Sequence, residues 1–117
     1  MSRAFSKLLN VSTGAVIAAR AEVADTRAAR RKGLLGRASM DAGAALVLSP
    51  CWMIHTAFMR FAIDVVFLDG NGVVRRLVRH LRPWRIAIAP AARSVIELPA
   101  DALSALDLRV GDRVTEV

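Results

Sequence analysis

The sequence predicts a mainly β fold, a compact antiparallel barrel or sandwich of about seven short strands with two short helices. Three observations carry that expectation. Apolar, often β-branched runs of strand length recur along the 117 residues and end at glycine, proline or aspartate. Asp69-Gly70-Asn71-Gly72 is a strong turn signal set between two such runs. No alternation of strands with long helical patterns announces a parallel βαβ sheet.

Residues 8–11 and 15–23 read as a hairpin around Ser12-Thr13-Gly14. Asp25 is placed to cap a helix from Thr26 to Lys32, which Gly33 would stop. Ala44 to Leu48 is a strand ended by Ser49-Pro50, Trp52 to Thr56 continues extended, and Ala62 to Leu68 has strong strand propensity. Residues 73–82 present a conflict. Val73, Val74, Leu77, Val78 and Leu81 fall at helical spacing with arginines opposite, yet a hairpin turn directly precedes them. The turn decides for a returning strand. Pro83 and Pro90 bracket an irregular segment, Ser94 to Leu98 is a strand, Ala100 to Leu106 a short helix and Arg113 to Val117 a last strand. Residues 1–7 are then a tail, and 8–117 a single domain.

Leu, Val, Ile, Phe, Met and Trp recur often enough to build a core without a metal or disulfide staple, so no cofactor is expected. Cys51 is the only cysteine, which excludes an intramolecular disulfide. No apolar run reaches the roughly 18 residues of a membrane span. Arg3 and Lys7 before an apolar stretch, with Ala19-Arg20-Ala21 behind it, imitate an export signal, but Asn10, Ser12 and Thr13 interrupt the stretch. The net charge of +7 comes mainly from arginine, clustered at Arg27/Arg30/Arg31/Lys32/Arg37 and Arg75/Arg76/Arg79/His80/Arg82/Arg85. Such charge admits a nucleic-acid partner. The absence of zinc-finger spacing, of tyrosine and of a regular aromatic platform argues against one.

The segment from Cys51 to Asp69 sets His55, Thr56, Met59, Arg60 and Asp64 among apolar residues. Polar groups are costly to bury unless paired, so the segment is either a satisfied network or a binding site. If Asp64 points inward it needs donors, for which Arg60, Arg30, Arg37, His55 and Thr56 are the candidates. One reading is an ion-pair or hydrogen-bond network pinning the first helix to the sheet. The other is a polar pocket formed by His55, Thr56, Met59, Arg60, Asp64, Arg30 and Arg37. A Cys51–His55 dyad fails on geometry, because on a strand the two side chains lie about 13 Å apart. Cys51, His55 and Asp64 are suitable metal ligands in type, but no compact metal-binding spacing occurs, and no metal is expected.

The ordered landmarks Ala24-Asp25-Thr26, Arg30-Arg31-Lys32-Gly33-Leu34-Leu35-Gly36-Arg37, the run from His55 to Asp69, Pro83-Trp84, Val95-Ile96-Glu97-Leu98-Pro99-Ala100 and Val110-Gly111-Asp112 resemble the domain of unknown function 192 family. That family is also called uncharacterised protein family 0127. The resemblance spans about Leu8 to Val117 and implies a compact, mainly β prokaryotic domain without an established enzyme class. Leu35, Ala62, Asp101 and Asp107 depart from the family's usual pattern, the two aspartates standing where glycine is common. Many relatives carry an export signal. Here the start fits the domain's first hairpin, which favours the cytoplasm. The expected function is binding of a small, anionic ligand, or an accessory role, through the pocket around His55 and Asp64. The alternatives are an enzyme with His55 as acid or base oriented by Asp64, and a basic module for an acidic partner.

Overall fold

The computed structural model describes residues 2–117, with side chains described from Ser6 onward. Nine strands and two short helices follow in the order β1 (Ser2–Asn10), β2 (Val16–Ala24), α1 (Arg27–Lys32), β3 (Ala44–Leu48), β4 (Met53–His55), β5 (Ile63–Leu68), β6 (Val74–Leu81), β7 (Ile86–Ile88), β8 (Ser94–Pro99), α2 (Ala102–Ala105) and β9 (Val114–Glu116). Seven strands form one sheet in the order β6-β5-β8-β3-β2-β1-β9, and β4 pairs with β7 as a separate ribbon. The two edges meet at the start of β6 and β9 through the isolated bridge between Val73 and Arg113 and the backbone bonds beside it, such as Val74 amide to Asp112 carbonyl at 2.8 Å. No ladder joins β6 to β9, so the sheet does not close into a barrel. The architecture is sandwich-like and mainly β, as expected.

Local chemistry explains most of the elements. Asn10 accepts the amide of Ser12 on its side-chain oxygen, at 3.0 Å, and turns the first hairpin. The Asp69 carboxylate accepts from the amides of Asn71 and Val73 at 2.9 and 3.0 Å, and these bonds hold it below the usual carboxylate range. Gly72, at φ 79, completes this turn, and a Cβ there would lie 2.6 Å from the Val114 carbonyl oxygen. Residues 74–81 are a strand, with Arg75, Arg76 and Arg79 exposed. Cross-strand bonding to β5 overrides the helical spacing of their apolar neighbours.

Four expectations change. The side chain that caps α1 is that of Thr26, accepting from the Ala29 amide at 3.1 Å, in place of Asp25; Gly33, at φ 46, ends the helix as expected. β2 and β3 pair in parallel across α1, so one βαβ unit sits in an otherwise antiparallel sheet. Its six-residue helix is too short to announce the crossover as a periodic pattern. The segment between Pro83 and Pro90 contains β7, which pairs with β4. Finally, β1 begins at Ser2, ahead of the boundary expected at Leu8, and the Lys7 amide donates to the Val117 carbonyl.

The sheet carries apolar clusters on both faces, because β5 is buried along its whole length. Val66 and Leu68 join Ile96, Leu98, Leu8, Ile17 and Leu103 of α2 in the first cluster. Ile63, Val65 and Phe67 join Val95, Leu46, Leu34, Met59 and the inward residues Ile54 and Ala87 of the ribbon in the second. Alternation along paired strands therefore assigns each buried polar side chain to one face or the other.

Candidate functional site

Two carboxylates enter this double core from neighbouring strands. Asp64 pairs in register with Leu98, and Glu97 with Val65. They therefore stand one position apart on opposite faces of the sheet.

Asp64 is completely buried, and its oxygens accept the backbone amides of His80 and Leu103, each at 2.8 Å. His80 lies at φ 50 where the β5–β6 register slips between Ile63 and Val65, so its amide is available to a side-chain acceptor. Leu103 is in the first turn of α2, whose N-cap residue Asp101 makes no side-chain capping bond. Asp64 thus caps α2 from across the fold. Asp101 has φ 71, the left-handed conformation that favours glycine. None of the side-chain donors expected for Asp64 is its partner. Backbone amides are, because a register slip and an uncapped helix both face this position.

Glu97 is 4% exposed and accepts no hydrogen bond among the described residues. It lies on a cavity of about 300 Å³ bounded by α1 and the turn after it, the end of β3, the start of β4 and β8. Leu34, Leu48, Ile54 and Met59 supply apolar wall, Cys51 and His55 add polar groups, and Arg27, Arg31 and Lys32 are exposed cations on the same cavity. Burial raises the Glu97 carboxyl from 4.5 to about 7, against the opposing pull of the Arg37 guanidinium. Burial also raises the Cys51 thiol, which donates to the Met53 carbonyl at 3.1 Å, and Glu97 adds to that rise. At neutral pH the thiol is therefore protonated and weakly nucleophilic.

The residues expected to share one pocket divide. His55, Met59 and Arg30 line the cavity. The Arg30 guanidinium also donates to the carbonyls of Asp25 and Ser49 at 3.0 and 3.2 Å, tying α1 to the end of β3. Arg37 is paired with Glu22 at 3.3 Å and reaches the site only through its field on Glu97. Thr56, fully buried, donates to the Arg82 carbonyl at 2.6 Å and accepts the Arg85 amide at 2.9 Å, fixing the chain that enters β7. Arg60 is exposed, and Asp64 is on the opposite face of the sheet. Glu97 was not among the expected residues. The available signal was a lone carboxylate within the apolar run Val95-Ile96-Glu97-Leu98, the same signal that singled out Asp64. Among the described residues no group of His, Cys, Asp and Glu has the arrangement to hold a metal ion.

The family model of domain of unknown function 192, described as "Uncharacterized ACR", matches residues 9–116. A UPF0127 protein of Thermococcus sibiricus is 32% identical over 112 residues, covering 92% of this chain and 72% of the relative. A Sinorhizobium meliloti crystal structure, described as a candidate transcription regulator, superposes with a TM-score of 0.83 at 20% identity, over 99% of this chain and 94% of that one. A protein of unknown function from Novosphingobium aromaticivorans gives 0.80 at 19% identity, over 95% and 83% of the two chains. At these identities the two structures establish a shared fold. The family-model match over nearly the whole chain and the likeness to the Thermococcus sibiricus relative place the sequence: it belongs to the domain of unknown function 192 family, UPF0127.

Proposed function

We propose that the chain binds a small anionic molecule with an apolar body in the cavity floored by Glu97. The observation that carries this reading is a largely buried carboxyl that makes no hydrogen bond to the fold and faces a cavity whose charged rim is otherwise cationic. A buried polar group is normally satisfied by the fold itself. One left for a ligand, with a raised pKa in a concave, largely apolar site, is the pattern of a binding pocket.

Charge and shape define the ligand. Arg27, Arg31 and Lys32 attract an anion to the α1 side, where a carboxylate or phosphate also meets arginine's planar donors. Leucine, isoleucine and methionine walls accept an apolar body. The inner end meets Glu97, whose protonated carboxyl donates a hydrogen bond to a carbonyl or ether oxygen. Protonation of Glu97 also removes the one negative charge that would repel the anion, so binding tightens as the pH falls through about 7. The arrangement gives no support to His55 oriented by Asp64, whose carboxylate is engaged by two backbone amides.

The test is a thermal-shift panel of small carboxylates, phosphates and sulfonates of increasing apolar size, run above and below neutrality. The expected result is a rise in Tm that is larger on the acid side, pH-independent in Glu97→Gln and reduced in Arg31→Glu. No shift with any anion, or equal shifts in wild type and Arg31→Glu, would overturn the reading.

A further inference from the structure

We propose that the exposed face of the β4–β7 ribbon, together with its flanking residues, docks on an anionic lipid bilayer. Ten large apolar side chains are exposed among the described residues, and six of them, Trp52, Met53, Phe58, Trp84, Ile86 and Ile88, belong to this ribbon and its flanks. The pairing explains how they come to share a surface. Met53 stands opposite Ile88, and His55 opposite Ile86, while the alternate pair Ile54 and Ala87 turns into the second core cluster. The ribbon therefore carries apolar side chains on both sides, His55 being the one polar residue of its outer side, and only the inner side is covered. Contiguous exposed apolar surface of this kind marks an interaction site.

Backbone conformation reinforces the observation. Phe58 and Trp84 both sit at φ 65, an unfavourable region for bulky side chains, and are 73% and 60% exposed. The surrounding bonds hold both residues there. The Thr56 carbonyl accepts the Trp84 amide at 3.1 Å and the Met59 amide at 3.2 Å. Strain is thus maintained to present two aromatic rings to the outside.

Charge selects the partner. No aspartate or glutamate occurs from Cys51 to Ile63 or from Gly70 to Ile96, whereas these stretches hold Arg60, Arg75, Arg76, Arg79, Arg82, Arg85 and Arg93. The Arg76 guanidinium donates to the Ile88 carbonyl at 2.5 Å, which places a cation beside the ribbon. Arg60, Arg79 and Arg82 are in no ion pair among the described residues. Tryptophan, phenylalanine and isoleucine beside unpaired arginines suit the headgroup region of an anionic bilayer, where rings and aliphatic groups enter the interface and guanidinium groups meet phosphates. A second copy of the chain would bring one arginine-rich face against another. Stacked nucleic-acid bases fit poorly, because Phe58 and Trp84 meet edge to face, with centroids 4.6 Å apart and planes at 60°, and do not offer two parallel platforms. The contact is peripheral: among the described residues no helix is long and apolar enough to cross a membrane.

Trp52 and Trp84 are the only tryptophans in the sequence, so intrinsic fluorescence reports directly on this surface. The experiment mixes the full chain with phosphatidylcholine vesicles, with or without phosphatidylglycerol, at low and high salt, reading co-sedimentation and emission wavelength. The expected result is co-sedimentation and a blue shift with phosphatidylglycerol vesicles only, weakened by salt. The double variant Trp84→Ser, Ile86→Ser should bind about tenfold more weakly or worse, since each side chain loses its burial in the interface. If that variant does not fold, Arg60→Glu with Arg82→Glu, at exposed positions, must weaken binding instead. The proposal is overturned by the absence of a blue shift on phosphatidylglycerol vesicles, by equal binding to phosphatidylcholine alone, or by undiminished binding of the folded variants. It is equally overturned if a single-stranded oligonucleotide quenches the tryptophans while vesicles leave them unchanged.

Discussion

Asp64 and Glu97 are both carboxylates, both buried, and one register position apart on paired strands, yet the fold treats them oppositely. On one face, the Asp64 oxygens join a register slip in β6 to the first turn of α2 through two backbone amides. On the other, Glu97 meets a cavity and the distant field of Arg37, and burial drives its pKa to about 7. Burial alone therefore does not identify a functional acid. The partner inventory does, because a carboxylate fully engaged by backbone amides belongs to the architecture, whereas an unpartnered one retains its bonding capacity for something else.

The largest effect should come from breaking the engaged side. Asp64→Ala leaves two buried amides without an acceptor and removes the cap of α2, and should cost about 3–5 kcal/mol in chemical denaturation. A loss below about 1 kcal/mol would show that Asp64 is dispensable to the fold and collapse the contrast.

The open side responds in the other direction, and its response depends on pH. A carboxyl whose folded pKa is raised from 4.5 to about 7 binds its proton more tightly in the folded state. Its stabilising contribution is complete below the unfolded value and is lost as the pH rises through about 7. Glu97→Gln should therefore match wild type near pH 4.5 and exceed it by about 3 kcal/mol at about pH 8. Denaturant titrations at the two pH values measure the difference. Equal stability at both would remove the claim that Glu97 ionises inside the core.

Thr56→Val sharpens the comparison from a neutral group. It removes the hydroxyl bonds to the Arg82 carbonyl and the Arg85 amide, and should cost about 2 kcal/mol while leaving the Glu97 cavity intact. Arg31→Glu is expected to have the smallest effect on stability, within about 0.5 kcal/mol because the side chain is exposed, while it weakens anion binding. A large stability change there would mean that the cation serves the helix more than the cavity.

Much of the fold was legible because its signals are local. The Asp69–Gly72 turn, the Gly33 stop and the first hairpin rest on residues acting within a few positions of themselves. The parallel β2–β3 pairing and the β4–β7 ribbon rest on tertiary pairing of short segments, which periodicity does not report. For the site, the anomaly of Asp64 in an apolar strand was readable, but its true donors are backbone amides, which every residue possesses and no sequence pattern advertises. Glu97 carried the same anomaly. Only the packed structure distinguishes them, since only it shows which face finds donors and which meets a cavity.

Isotope-edited NMR of the glutamate side-chain carboxyls, titrated from acid to alkaline pH, tests the central claim most directly. Glu97 should titrate at about 7, and a bound anion should move this midpoint upward. A Glu97 midpoint at the ordinary 4.5, unmoved by any anion that binds, would contradict it.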